Sequence, residues 1–285
     1  MTLPVHNQYK HLSALEYASD GVATNLEPSL QQWERAERER SAHEALHTLP
    51  TDPLEVPKNV ARYHNPPSDT IYPLEYACHL LGDVNGKTIL EYGCGDGVNT
   101  VLLANRGAKV VSLDLSPELV DIAQRRLHVH GITSGVDFIV GSAHDLPLPD
   151  ESVDVVFGIA ILHHLDLGLS AREVNRVLKK GGIAIFQEPV RNSRLMRAFR
   201  KLVPNRSPDI SPFERPLTDQ ELKDFARSCS SYHSRPFTLP TSTLLAMLPG
   251  LGNSSQKFLE WDARMLSSFP PLGYFSSVKV ISMTK

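Results

Sequence analysis

Three glycines at alternate positions follow a short apolar run in ILEYGCGDGVNT, residues 89–100. Glycine allows left-handed backbone angles and a close approach of the main chain to a ligand. A strand that ends at Gly93, Gly95 and Gly97 therefore predicts a ligand held against the backbone. Its chemistry could be that of a phosphate, a dinucleotide or a smaller adenosyl compound.

The spacing of the glycines separates these ligands. A phosphate loop needs four residues between its glycines and must open a helix, whereas GDVNGKT at 82–88 has three and precedes a strand. A dinucleotide site has the pattern G-x-G-x-x-G. The spacing here is G-x-G-x-G, and the charge of Asp96 at the turn would oppose a pyrophosphate. The phosphate loop is rejected, and the dinucleotide is disfavoured but stays open.

S-adenosylmethionine fits the same residues better, because it carries a sulfonium cation and an ammonium group and no phosphate. Glu91 and Asp96 place negative charge at the turn. Asp114 ends the next apolar run, in VSLDLS, and its two oxygens could accept both ribose hydroxyls. The residues thus favour an adenosyl sulfonium as the ligand.

The elements that must position these residues alternate along the chain from Lys87 onward. Apolar runs separated by helical segments predict a parallel sheet with helices on both faces. Strands are predicted at 87–92, 108–116, 136–143, 153–162, 183–189, 234–240 and 274–285. One helix is expected to begin at Ser68 or Asp69 and run towards Leu81, and another to end at the glycines 181–182. A further helix is expected at 217–229, capped by Thr218 or Asp219.

Four consecutive segments resemble the motifs of class I S-adenosylmethionine-dependent methyltransferases. They are ILEYGCGDG, VVSLDLSPELVDIAQRR, GSAHDLPLPDESVDVVFGIAILHHL and REVNRVLKKGGIAIFQEP, within residues 68–190. The resemblance is to the branch that acts on small molecules. It implies an α/β fold with a seven-stranded, mostly parallel Rossmann-like sheet, an antiparallel last strand and helices on both faces. The predicted activity is methyl transfer to a small organic acceptor at an oxygen, nitrogen or carbon atom.

The resemblance also assigns cofactor-binding residues. Glu91, Gly93, Cys94, Gly95 and Gly97 would lie along the methionine portion. Asp114 would hold the ribose, Leu115, Ala143 and His144 would border the adenine, and Ile159 would line the floor of the site. One departure is Ser142, where the family often has an acidic residue.

Candidate catalytic and substrate-binding residues lie near the same strand ends. His163 and His164 follow the fourth strand, and either could act as a general base or merely shape a loop. Glu188, which ends the fifth strand, and Asn192, which follows it, could orient the substrate or cap the following helix. Tyr72 is a further predicted substrate contact.

The flanking segments are predicted to cover the site. Residues 1–60 form a helical appendage broken by prolines, and residues 61–285 form the methyltransferase domain with insertions near 189–217 and 241–270. Within the appendage, HEALH at 43–47 matches the zinc-binding pattern H-E-x-x-H. No metal is predicted, because this helix is strongly charged, ends before Pro50 and has no clear third ligand.

Composition limits the remaining function classes. A net charge of −3 lacks the basic balance of a general nucleic-acid binder, so no nucleic-acid partner is expected. No apolar run suggests a membrane span, no secretory signal is visible, and three separated cysteines fit neither a disulfide framework nor a zinc cluster. We therefore expect a cytoplasmic protein with a small-molecule substrate. An inactive cofactor-binding scaffold and a nicotinamide-dependent oxidoreductase stay as alternatives.

Overall fold

The computed structural model describes residues 28–48, 57–193, 215–240 and 255–285. The α-helices in these ranges are α1 Pro28–His47, α2 Pro57–His64, α3 Pro73–Leu81, α4 Val98–Asn105, α5 Pro117–Val129, α6 Leu167–Val177, α7 Asp219–Phe225 and α8 Ser255–Ser268. Two 3-10 turns lie at Leu162–His164 and Pro270–Phe275. None of the described helices is both long enough and apolar enough to cross a membrane.

Seven strands form one sheet. They are β1 Thr88–Tyr92, β2 Lys109–Asp114, β3 Val136–Val140, β4 Val153–Ile159, β5 Leu178–Pro189, β6 Ser231–Thr238 and β7 Val278–Thr284. The spatial order is β3-β2-β1-β4-β5-β7-β6, and β7 runs antiparallel to both of its neighbours while the other pairs are parallel. The predicted seven-stranded, mostly parallel sheet with an antiparallel last strand is confirmed.

Both faces of the sheet are covered, because successive side chains along each strand point in opposite directions. In β1, Leu90 packs in an apolar cluster that contains residues of α6 and α7, whereas Ile89 packs in a second cluster that contains residues of α3 and α4. The same alternation holds in β5, where Phe186 belongs to the first cluster and Ile185 to the second. Such two-sided burial explains why the strands are nearly continuous apolar runs.

The strand order reverses between β1 and β4. From β1 the chain crosses to β2 on one side, and β4 returns to pair with β1 on the other side. In open α/β sheets, ligands bind in the crevice at the carboxyl ends of the strands where the order reverses. The glycine turn, residues 93–97, follows β1 at this place.

The predicted helical appendage is present where the chain is described. α1 and α2 fall within residues 1–60 or begin there, and α1 packs against α5. Residues 1–27 and 49–56 lie outside the described ranges, as do 194–214 and 241–254 of the two predicted insertions. The second insertion's described part is α8, whose buried Asp262 accepts a hydrogen bond from the backbone N–H of Leu239 at 2.9 Å.

Two predicted boundaries are wrong. α3 begins at Pro73 rather than near Ser68 or Asp69, because proline occupies its first position and Tyr72 stands at the N-cap. α6 ends at Val177, not at the glycines 181–182. Leu178 already pairs with Val153, and pairing resumes at Ile183 with Val155, so the glycines lie in a bulged part of β5. At α7 the expected cap is present, since Thr218 and Glu221 form a capping box.

Gly97 joins the glycine turn to the packing of α4 on α5. It has a φ of +83°, and a Cβ at this position would lie 2.7 Å from the Cβ of Ala123 on α5. Only glycine therefore allows both the left-handed angle and the close approach of the two helices.

We expect Gly97→Ala to lower the free energy of unfolding by about 2–4 kcal/mol, from left-handed backbone strain together with overpacking. Gly131→Ala is the matched control, because Gly131 has a φ of +69° and open space around its missing Cβ. That control should lose only about 1–2 kcal/mol, from strain alone. Urea unfolding curves measure both, and equal losses would show that contact with Ala123 is unimportant.

Candidate active site

A cavity of about 340 Å³ lies at the carboxyl ends of β1, β2 and β4. This volume falls within the usual range for small-molecule sites, about 300–1,000 Å³. One wall consists of strand-end residues, and the facing wall is one side of α1, which we call the roof. The roof residues are Trp33, Glu34, Glu37, Arg40, Ser41 and Glu44.

The Asp114 carboxylate links the glycine turn to the end of β2. Its Oδ2 accepts a hydrogen bond from the Gly95 N–H at 2.8 Å, and its Oδ1 accepts one from the Ser116 N–H at 3.0 Å. Burial raises the pKa of Asp114, and these backbone hydrogen bonds oppose that rise. Asp114 lines the cavity. Each of its oxygens has a second lone pair that can accept a further donor there.

The glycine turn leaves space beside the cavity. Gly93 and Gly95 both line it. A Cβ at Gly93 would lie 2.8 Å from the Cδ1 of Ile161, while a Cβ at Gly95 would meet no atom within 4 Å. The turn is therefore closed on the Ile161 side and open at Gly95, where a ligand can approach the main chain.

Glu91 lies outside the cavity lining and is almost fully buried. Its Oε2 accepts hydrogen bonds from Thr100 Oγ1 at 2.6 Å and from Ser112 Oγ at 2.7 Å. Its Oε1 is buried and has no hydrogen-bond partner among the described residues. Burial is the main reason that the pKa of Glu91 rises to about 7. Because Glu91 does not line the cavity, the contacts that it makes to Thr100 and Ser112 link β1 to α4 and β2 beside the site.

Two more residues of the predicted methionine subsite do not line the cavity. Gly97 packs on α5, as described above. Cys94 is buried and clusters with Val120 and Ala123 of α5. Burial raises the pKa of the Cys94 thiol well above its ordinary value, so this residue serves as packing rather than as a reactive group.

The residues predicted for the adenine side do line the cavity, and they are Leu115, Ala143, His144 and Ile159. The backbone N–H of Asp166 donates to His144 Nε2 at 2.9 Å. Because Nε2 accepts, Nδ1 carries the proton and donates to Glu34 Oε1 at 2.8 Å. Ser142 Oγ donates to the same oxygen. Burial raises the pKa of Glu34, but its hydrogen bonds to His144 and Ser142 outweigh that effect and lower the pKa.

The two candidate bases lie together on the 3-10 turn after β4, with ring centroids 4.0 Å apart, and both line the cavity. They have different partners. His163 Nδ1 is 2.8 Å from Oε2 of the buried Glu188, whereas His164 Nδ1 is 3.0 Å from Oε2 of Glu37 on α1. His163 thus contacts a residue of the sheet, whereas His164 contacts the roof.

The three predicted substrate contacts are not in the cavity lining, because each has another structural role. Glu188 accepts hydrogen bonds from backbone groups beneath the 3-10 turn, at 2.9 Å from Ile161 and 2.8 Å from Leu162. Asn192 Oδ1 accepts from the backbone N–H of Asp219 at the start of α7 at 2.6 Å. Tyr72 stands at the N-cap of α3, with the guanidinium carbon of Arg62 4.0 Å from its ring centroid.

Sequence reasoning did not identify the roof residues as parts of the site. The sequence carries one signal for them, since residues 33, 37, 40 and 44 recur at helical spacing on one side of α1.

In the same helix, the H-E-x-x-H histidines His43 and His47 have ring centroids 5.1 Å apart. Within the described residues, no group of three or more His, Cys, Asp or Glu side chains is arranged to hold a metal ion.

Part of this chain is similar to known proteins. Residues 90–186 match the profile of the family described as Methyltransferase domain. A fatty-acid O-methyltransferase of Mycolicibacterium smegmatis is 36% identical over 120 residues, which are 40% of this chain and 42% of that protein. A probable phthiotriol/phenolphthiotriol dimycocerosates methyltransferase of Mycobacterium ulcerans is 35% identical over 146 residues, covering 46% of this chain and 54% of that protein. The chain spans about half the length of these curated relatives.

A solved structure supports the same fold. The geranyl diphosphate C-methyltransferase of Streptomyces coelicolor A3(2) superposes with a TM-score of 0.52 at 19% identity, covering 81% of this chain and 98% of that one. The sheet, the glycine turn and the match over residues 90–186 are those of a class I S-adenosylmethionine-dependent methyltransferase domain. S-adenosylmethionine is the cofactor of that class.

The raised pKa of Glu91 predicts a pH-dependent stability. Its pKa is about 7 in the folded state against an ordinary 4.5, so the folded protein binds more protons between these values. Stability should therefore fall as pH rises through this window, by on the order of 1–3 kcal/mol from this group. In Glu91→Gln the amide is neutral throughout, and its oxygen can still accept from Thr100 and Ser112, so this part of the slope should disappear.

Urea unfolding at several pH values from 4.5 to 8 measures that slope. Glu260→Gln on α8 is the control, and it should retain the wild-type slope, because it leaves Glu91 unchanged and, among the described residues, the Glu260 carboxyl group bonds to its helix neighbour Gln256. If the free energy of unfolding changed with pH in the same way in wild type and in Glu91→Gln, the result would contradict the raised pKa of Glu91.

Proposed function

We propose that this protein transfers a methyl group from S-adenosylmethionine to a small organic acceptor. The observation that carries the proposal is the Asp114 carboxylate, which faces the cavity at the end of β2 and is held by the Gly95 N–H. Two adjacent ribose hydroxyls can donate to its two oxygens. The adenine would then lie between Leu115 and Ala143, and the methionine portion along Gly93 and Gly95.

The charges around the turn favour an adenosyl sulfonium over a dinucleotide. Glu91 near the end of β1 and Asp114 at the end of β2 bring carboxyl groups to the two strand ends beside the turn, which favours a cationic ligand, whereas a pyrophosphate would add negative charge. Asp96 does not contribute to this argument, because it pairs with Arg126 at 2.7 Å and does not line the cavity. The preference for S-adenosylmethionine therefore rests on Glu91 and Asp114.

Methyl transfer requires the protein mainly to position the two reactants. A methyl group on a sulfonium is already electrophilic, so the site must hold the acceptor in line with it and exclude water. The roof contributes Trp33 and four charged side chains to the wall facing the strand ends, which supports a role for residues 1–60 as a lid on the methyltransferase domain at 61–285. We assign the role of a base to His163 or His164, since both line the cavity.

The relatives support an organic acceptor. Their names specify a fatty acid in one case and phthiotriol or phenolphthiotriol dimycocerosates in the other. A cytoplasmic setting fits the cysteines, since Cys78, Cys94 and Cys229 are free thiols. The net charge of −3 does not favour a nucleic acid as the acceptor.

Calorimetric titration with S-adenosylhomocysteine and with NADH tests the proposal against its alternatives. Binding of S-adenosylhomocysteine, the cofactor product of methyl transfer, without binding of NADH supports the proposal, and binding of NADH alone overturns it in favour of an oxidoreductase. Binding without transfer to any acceptor in a broad screen with S-adenosylmethionine labelled in its methyl group would support the scaffold alternative.

We expect Asp114→Asn to weaken S-adenosylhomocysteine binding about 10–100-fold, because a hydrogen bond to a charged group contributes about 1.5–3 kcal/mol. Asp137→Asn is the matched control on β3, where Asp137 is exposed and outside the cavity. The control should bind as wild type does. Unchanged affinity in a folded Asp114→Asn protein would contradict the ribose assignment.

A further inference from the structure

We infer that Glu188 is a positioning residue that fixes His163 as the base of the reaction, and that the acceptor atom carries a proton, as a hydroxyl or amine does. This inference rests on the proposed function and deepens it by naming the acceptor class. It starts from a contact that the cofactor site does not need, between a buried carboxylate of β5 and a histidine of the cavity wall.

Glu188 is fully buried and its two oxygens have different tasks. Oε1 accepts the backbone N–H groups of Ile161 at 2.9 Å and Leu162 at 2.8 Å, which holds the 3-10 turn in place. Oε2 lies 2.8 Å from His163 Nδ1. The carboxylate therefore fixes both the backbone that carries His163 and the direction of its ring.

This contact also selects the tautomer of His163. A carboxylate only accepts hydrogen bonds, so Nδ1 must carry the proton and Nε2 is the basic nitrogen of the ring. Such an arrangement, with a buried carboxylate behind a histidine, orients a general base. His163 lines the cavity, so its ring is within the site where the acceptor must bind.

His164 has a different environment, although its ring neighbours that of His163. Its Nδ1 faces Glu37 of the roof at 3.0 Å, and Glu37 Oε2 also accepts from Arg40 Nε at 3.1 Å. No carboxylate of the sheet fixes its tautomer in this way, which is why we assign the base to His163. Among the described residues, Glu188 contacts His163, the ring of His164 lies 4.0 Å from that of His163, and Glu37 in turn contacts His164.

The charges of the cavity wall indicate which acceptors suit this base. Carboxylates of Glu34, Glu37, Glu44 and Asp114 line the cavity, and Arg40 already pairs with Glu37 and Glu44. Such a wall repels an acceptor that arrives as an anion, for example a fatty-acid carboxylate. A carboxylate acceptor would also need no base. A neutral hydroxyl or an amine fits both the charge of the wall and the presence of His163.

The proposed step balances as follows. The acceptor oxygen or nitrogen forms a bond to the methyl carbon while the carbon–sulfur bond breaks and its electron pair stays on sulfur. The proton of the acceptor passes to His163 Nε2, and the imidazolium later releases it to solvent. Glu188 accepts the Nδ1 proton as a hydrogen bond throughout and keeps its charge.

Glu188→Gln tests the inference with little change in shape. The glutamine oxygen can still accept from Ile161 and Leu162, but its amide nitrogen donates to His163 Nδ1 and so moves the ring proton to Nε2. Two-dimensional NMR of the ring nitrogens in 15N-histidine protein reports this directly, with His163→Gln identifying the signal by its loss. We expect an Nδ1-protonated His163 in wild type and an Nε2-protonated ring in Glu188→Gln.

The activity arm uses matched sets of long-chain alcohols, phenols, amines and fatty acids with S-adenosylmethionine labelled in its methyl group. We expect transfer to the hydroxyl or amine set, and a loss of about 10²–10⁴-fold in kcat in Glu188→Gln, the usual range for a positioned base. S-adenosylhomocysteine affinity should stay within about threefold, since Glu188 does not line the cavity. Glu260→Gln should retain wild-type turnover.

Each outcome decides a different point. An Nε2-protonated His163 in wild type overturns the role of Glu188, and this holds even if the variant fails to fold. Transfer to the fatty acids alone, transfer to none of the sets, or full turnover in Glu188→Gln overturns the acceptor class. A wild-type protein that does not bind S-adenosylhomocysteine overturns the proposed function instead, while the NMR result still tests the dyad.

Discussion

The hydrogen bond from the Gly95 N–H to Asp114 Oδ2 is the contact on which the site depends. It joins the turn after β1 to the end of β2, two elements that the parallel sheet already places side by side. A carboxylate held by backbone donors stays in one orientation without a ligand. The glycines, the reversal of strand order and the packing of α4 on α5 all serve to keep this turn close to Asp114.

Buried carboxylates at strand ends are a recurring means of holding loops in this protein. Glu91 ties β1 to Thr100 of α4 and Ser112 of β2, and Glu188 ties β5 to the turn after β4. Both occupy positions where a parallel sheet leaves loop backbone and side-chain donors in need of acceptors. Carboxylates at strand ends therefore have separate roles. Of Glu91, Asp114 and Glu188, only Asp114 lines the cavity.

Local pattern predicted most of the fold, because strands buried on both faces are apolar runs and helices begin at caps such as Thr218. The glycine turn and Asp114 could be predicted because each directly follows or ends an apolar run, so a short stretch of sequence is enough to locate them. The partners of Glu188 were not, because the donors of Ile161 and Leu162 lie more than twenty residues earlier in the chain. Helix α1 is polar on most sides, so hydrophobic periodicity gave no sign that one side of it meets the cavity.

Helix α1 lies outside the segment shared with the family, residues 90–186, yet it supplies one whole wall of the cavity and the carboxylate of Glu34 beside Ser142. None of the residues of α1 belongs to the seven strands of the sheet. Gene duplicates that retain the same sheet could thus diverge in the compounds they accept by drift within twenty residues of one helix. Because Glu34 also bonds to Ser142 and His144, such changes would reach the predicted adenine side of the cavity as well as the wall that faces the histidines.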